Sequence, residues 1–202
     1  MARTHSHADQ LIPPHLIGLT RPVSHREFEQ LCREYPDLRL ELTSSGELIV
    51  MPPTGLRTGT RNADLTYQLT AWTKNDRSGV CFDSNTAFTL PNGAIRSPDG
   101  SWMSRMKWDS ISDFEKDRFS HVCPDFVVEL RSGTDSLRTL FQKMEEYITN
   151  GATLGWLIDP QAHRVYVYRA AEEPIVLEEP TVVSGEPLLH GFELQMEEIW
   201  AL

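Results

Sequence analysis

The chain has 202 residues, with 40% hydrophobic and 24% charged residues and a formal net charge of −10. The length suits one domain with a sizeable core, and the composition is that of an ordinary globule. The acidic balance argues against broad electrostatic adhesion to nucleic acid.

No run of about 18 apolar residues exists to span a membrane, and the polar start MARTHSHADQ lacks a signal-peptide core, so a cytoplasmic protein is expected. Cys32, Cys81 and Cys123 are scattered and odd in number, without zinc-site spacing, and read as free thiols.

Residues 1–20 contain Pro13-Pro14 and no sustained period, which predicts a flexible N-terminal arm ahead of one domain over 21–202. His5 and His7, two apart in that arm, read as incidental. Ser24-His25-Arg26-Glu27 forms a capping box, and Phe28, Leu31, Cys32 and Tyr35 follow at helical spacing, so a first helix ends before Pro36. Leu38–Thr43 and Glu47–Met51 flank Ser44-Ser45-Gly46, a hairpin loop with its glycine. Alternation puts Leu38, Leu40 and Leu42 on one face and Arg39, Glu41 and Thr43 on the other. On that pattern alone Glu41 is a solvent-facing acid.

Thr58–Arg77 is a moderately amphipathic helix through Leu65, Leu69 and Trp72. Arg57, Arg61, Lys74 and Arg77 lie in or beside it, as a solvated face or as phosphate contacts. Val80–Asp83, Thr86–Leu90 and Ala94–Ser97 read as strands, with Pro91-Asn92-Gly93 as a tight turn. Pro98 excludes a central-strand hydrogen bond, so Asp99 is expected at an edge or bulge beside Gly100. Residues 104–120 read as a charged helix or irregular insertion at the surface, and Trp102, Met103, Met106 and Trp108, in or just before it, offer apolar contact to a second copy.

The strand Asp125–Arg131 has Phe126, Val127, Val128 and Leu130 around two acids. Asp125, Val127, Glu129 and Arg131 share one face. The acids lie roughly 13 Å apart at the ~3.3 Å rise of a strand, too far to share one ion. Glu129 in mid-strand is the greater anomaly, because burying an acid there requires a cation or donor. Asp125 at the strand's start needs less explanation, and reads either as a turn-stabilising acid or as one that supports the site from behind. The helix after Ser132-Gly133-Thr134 ends at Asn150-Gly151 and has a buried stripe of Leu137, Leu140, Phe141, Met144, Tyr147 and Ile148. Lys143 falls on the flank of that stripe. There it either covers apolar surface or reaches over the strand's acids, whereas Glu145 and Glu146 read as solvent-side charges. A hairpin turning at Asp159-Pro160 follows, then acidic loop or edge strand over 172–187, then an apolar closing segment 188–200.

A strand-borne Asp-Gly after proline, a strand with Glu and a helical Lys, among hairpins, resemble the PD-(D/E)xK nuclease superfamily. RSPDGSW, CPDFVVELRS, QKMEEYITNGA and LGWLIDP more closely resemble a bacterial family of putative restriction endonucleases, over about residues 24–200. The resemblance implies an α/β fold with a central mixed sheet flanked by helices. It implies Asp99 and Glu129 as metal-binding carboxylates, Glu41 as a further acid of the site, and Lys143 as the lysine, moved from the strand onto the following helix. The superfamily's lysine stands two residues after the Glu, where this chain has Arg131, which stays protonated and cannot serve as a base. Gly133 stands where relatives often have proline.

The function so implied is a Mg²⁺- or Mn²⁺-dependent endonuclease acting on DNA, with a homodimer expected because duplex cleavage needs two sites of opposite polarity. Arg57, Arg61 and Arg131 are the candidate phosphate contacts. The alternative is a nuclease fold that binds or assembles on nucleic acid without cleaving it, which the charge of −10 favours.

Overall fold

The computed structural model describes residues 21–201, so the expected arm over 1–20 lies outside the described residues. The chain opens with α1 (His25–Glu34), started by Ser24, whose hydroxyl accepts from Glu27 N while the Glu27 carboxylate accepts from Ser24 N, the reciprocal cap its sequence predicts. The hairpin β1 (Arg39–Leu42) and β2 (Leu48–Met51) follows, and then α2 (Leu56–Asp76). Next come β3 (Gly79–Asp83), β4 (Phe88–Thr89), β5 (Ile95–Arg96) and β6 (Gly100–Ser104). Gly93, at φ 87°, makes the turn between β4 and β5 possible, since that backbone region is open mainly to glycine. Two short helices, α3 (Arg105–Ser110) and α4 (Asp113–Lys116), fill the charged segment.

The second half runs β7 (Phe126–Leu130), α5 (Leu137–Thr149), β8 (Leu154–Asp159), β9 (Arg164–Arg169), β10 (Ile175–Glu178), β11 (Val182–Ser184), β12 (Glu193–Gln195) and α6 (Glu197–Trp200). The main sheet has the order β10-β9-β8-β7-β6-β3, a smaller one the order β2-β1-β5-β4, and β11 pairs with β12. Only β7 and β8, joined through α5, run parallel in the main sheet, so it is mixed as expected.

Strand alternation divides the core. Phe126, Val128 and Leu130 of β7 face Leu65 and Leu69 of α2 and the closing residues Phe192, Leu194 and Ile199. Val127 faces the other way, against Leu140, Met144 and Tyr147 of α5. Glu129 shares the side of Val127, so the periodicity delivers a carboxylate to the layer between sheet and α5.

Several details differ from the sequence reading. Helix α5 begins only after Ser136, later than Ser132-Gly133-Thr134 suggests, because the Asp135 carboxylate accepts from Ser132 N at 2.7 Å and makes a separate turn. Glu41 is not solvent-facing: it is 2% exposed, since Arg96 and Lys143 cover the polar face of β1. Trp102 and Met103 are buried within β6 and offer no surface to a second copy, whereas Met106 is exposed.

Candidate active site

Glu41, Glu129 and Lys143 are 41st, 129th and 143rd in the chain, yet they meet. Strand β1 brings Glu41 to Lys143, whose Nζ lies 2.9 Å from Glu41 Oε1 and 2.8 Å from Glu129 Oε1. Asp99 immediately precedes β6, in which Gly100 stands opposite Val128 of β7, so antiparallel pairing brings Asp99 to the level of Glu129. Its Oδ2 accepts from Leu130 N at 2.8 Å and its Oδ1 from Asn62 Nδ2 at 3.3 Å.

A second ring of partners was not legible from periodicity. Glu41 also accepts from Arg96 Nη1 at 3.1 Å and from Ser97 N at 2.9 Å. Arg96 Nε donates to Glu146 at 2.6 Å, so Glu146 is a member of this network and not a solvated charge. Tyr147, fully buried in the stripe of α5, donates its hydroxyl to Glu129 Oε1 at 2.9 Å. The one sequence signal for these groups is chemical type out of place: an arginine directly after the apolar pair Ala94-Ile95 in a strand, and a tyrosine, which needs a hydroxyl partner, within a buried helical face.

Burial and crowding of like charge set the titration of the group. Glu129 is pushed up to about 7, first by burial and then by Asp99 and Glu41, with Lys143 opposing. Asp99 is raised by burial, which the Leu130 N–H and the Lys143 charge only partly offset. Burial also acts against ionised Glu41, but Lys143 and Arg96 outweigh it and hold that carboxyl below its ordinary range. Lys143 suffers the same desolvation, yet Glu129 and Glu41 raise its pKa, so it stays an ammonium at neutral pH.

The remaining candidates lie elsewhere. Asp125 accepts from Ser104 N at 2.8 Å and pairs with Lys107, which ties the start of β7 to α3. Arg131 Nη1 is bound 2.9 Å from Asp159, and Arg61 Nε donates to Ile199 O at 2.8 Å, so both have structural duties. Arg57 is exposed in the first turn of α2.

Among the described residues no group of three or more His, Cys, Asp or Glu side chains is spaced to enclose a metal ion. The physical reason is that Lys143 already stands between Glu41 and Glu129. What is left is an all-oxygen pair. Both donors to Glu129 meet Oε1, leaving Oε2 available, and Asp99 lies alongside. Mg²⁺ binds through one or two carboxylates while keeping several waters, so this donor set fits Mg²⁺ or Mn²⁺ and does not fit zinc. The charge also fits: four carboxylates (Glu41, Asp99, Glu129, Glu146) face Arg96 and Lys143, with Arg39 also acting on Asp99, so negative charge is in excess when all are ionised. All three cysteines are free and none enters the site.

Among solved structures the chain is similar to a crystal structure described as a putative nuclease belonging to DUF820 from Anabaena variabilis ATCC 29413. The TM-score is 0.74 at 21% identity, over 89% of this chain and 98% of that one. At that identity the likeness is one of fold, a mixed sheet flanked by helices. No curated protein matches the chain. A family model, Uma2, described as "Putative restriction endonuclease", matches residues 25–197, nearly the whole domain and every residue of the cluster, and the chain therefore belongs to that family.

Proposed function

We propose that the protein is a metal-dependent endonuclease that hydrolyses DNA phosphodiester bonds, with Asp99 and Glu129 as the metal-holding carboxylates. The observation that carries this reading is the convergence of buried Asp99 and Glu129 with Glu41 and Lys143 in one cluster, where burial first, and then the charges of Asp99 and Glu41, push Glu129 up to about 7. A divalent cation there would acidify a bound water and draw charge from the phosphate oxygens.

The chain's own residues do the rest. Asp99 is held from two sides by Leu130 N and Asn62 Nδ2, so its carboxylate is fixed before any ligand arrives. Glu41, anchored by Arg96 and Ser97 N, pins Lys143 beside Glu129. Because Lys143 remains protonated, it is no general base. It serves as a fixed positive donor that orients a water or meets a phosphate oxygen. Tyr147 fixes the Glu129 rotamer. Arg57, exposed in the first turn of α2, is a candidate contact for the DNA backbone, and a two-fold pair of chains would present one such site to each strand.

The test is plasmid nicking by purified protein. Relaxed or linear product in Mg²⁺ or Mn²⁺, and none in EDTA, is expected. Protein that retards DNA on a gel but never cleaves it with any divalent ion favours the reading as a non-cleaving binding protein.

A further inference from the structure

Helix α2 buries Thr58, Leu65, Leu69 and Thr73, and the helical period puts Asn62 in the same stripe, four residues after Thr58 and three before Leu65. Leu65 and Leu69 lie against Gly100, the first residue of β6, and this contact sets the helix so that Asn62 reaches Asp99. An amide at such a position needs partners at both ends. Nδ2 has Asp99, but Oδ1 is buried without a hydrogen-bond partner among the described residues.

An unpaired buried acceptor is destabilising, because it has given up water without gaining a partner. Turning the amide over would not remove the cost, since it would set oxygen against a carboxylate oxygen and orphan the donors instead. Among the described residues the other buried unpaired side-chain atoms are the Ser101 hydroxyl and the indole nitrogens of Trp102 and Trp156, each carrying a hydrogen. Asn62 Oδ1 alone among them is a pure acceptor, and it belongs to a side chain already bonded to a proposed metal carboxylate. Its partner must therefore bring either positive charge or a proton.

We propose that Asn62 is a third member of the cation site: its amide N–H group holds Asp99 in place, and its amide oxygen is a further hard oxygen donor to the divalent ion. This rests on the reading of Asp99 and Glu129 as the metal pair. A neutral amide oxygen suits Mg²⁺ or Mn²⁺ and adds a ligand without adding to the local negative charge.

The experiment is Mn²⁺ titration of the full chain, followed by electron paramagnetic resonance of the free ion, with metal-free melting as a check on folding. Asn62→Ala is expected to weaken Mn²⁺ binding by on the order of 10-fold or more, the size usual for loss of a group that supports a metal ligand. Asn62→Asp, which keeps an oxygen but loses the donor to Asp99, is expected to bind Mn²⁺ at least as tightly as the parent. Two results overturn the proposal while leaving the metal pair standing: unchanged binding in Asn62→Ala when Asp99→Asn loses it, or equal loss in Asn62→Ala and Asn62→Asp. Unchanged Mn²⁺ binding in Asp99→Asn as well would overturn the metal pair itself.

Discussion

Asp125 and Glu129 share one face of the same stretch of chain, at the start of β7 and near its end, and both are largely buried. Asp125 meets one cation, Lys107, and one backbone N–H, so its charge is balanced locally. Glu129 shares a single ammonium with Glu41 and has Asp99 beside it, so its charge is not balanced. Burial alone therefore does not separate a structural acid from a candidate site; the count of charges around it does.

Removing each acid's cation should break this comparison most visibly. Lys143→Met leaves two buried carboxylates facing each other and is expected to cost about 3–5 kcal/mol at neutral pH in urea denaturation. Lys107→Met leaves Asp125 with its backbone donor and some solvent, and about 1 kcal/mol is expected. Equal losses would remove the distinction.

Neutralising the acids themselves sharpens it. Asp125→Asn should lower stability by about 1–3 kcal/mol, through the lost charge-assisted bonds that join β7 to α3. Glu129→Gln should raise the melting temperature of the metal-free protein, because it removes like-charge crowding while keeping volume.

The pH dependence follows from the same crowding. Glu129 titrates at about 7 in the fold against an ordinary 4.5, so the folded state retains a proton that the unfolded chain releases. Its contribution to stability therefore declines as pH rises from about 4.5 to just above 7 and levels off beyond. Metal-free thermal melts from pH 5 to 8 should show this decline in the parent and lose it in Glu129→Gln, and Mg²⁺ should oppose it by favouring the ionised carboxylates. The smallest effect expected is that of Arg57→Ala, which should weaken DNA binding modestly and reduce the salt slope by about one unit.

The two regions were also unequally legible in sequence. Local signals sufficed for the Ser24 capping box, the Gly93 turn, the stripe of α5 and the alternation of β7, since each depends on residues a few positions apart. Glu129 stood out as an acid in an apolar strand. Glu41 did not, because the groups that cover it, Arg96 and Lys143, are 55 and 102 residues away and no strand pattern reports them. Lys143 could be placed on a helix flank, but its contact with Glu129 came only from the packing of α5 on β7. Asn62 and Tyr147 were hidden by position, each polar at one end within a stripe that reads as apolar, and Glu146 was hidden by Arg96 arriving from β5.

The most direct test of the central claim is cleavage of supercoiled plasmid by the parent and by Glu129→Gln, side by side, with melting curves to show that both are folded. The account predicts product from the parent only with Mg²⁺ or Mn²⁺, and from Glu129→Gln at least about 100-fold less, since a metal supplies several kcal/mol to such a reaction. Cleavage undiminished in folded Glu129→Gln would contradict it and place the active site elsewhere in the chain.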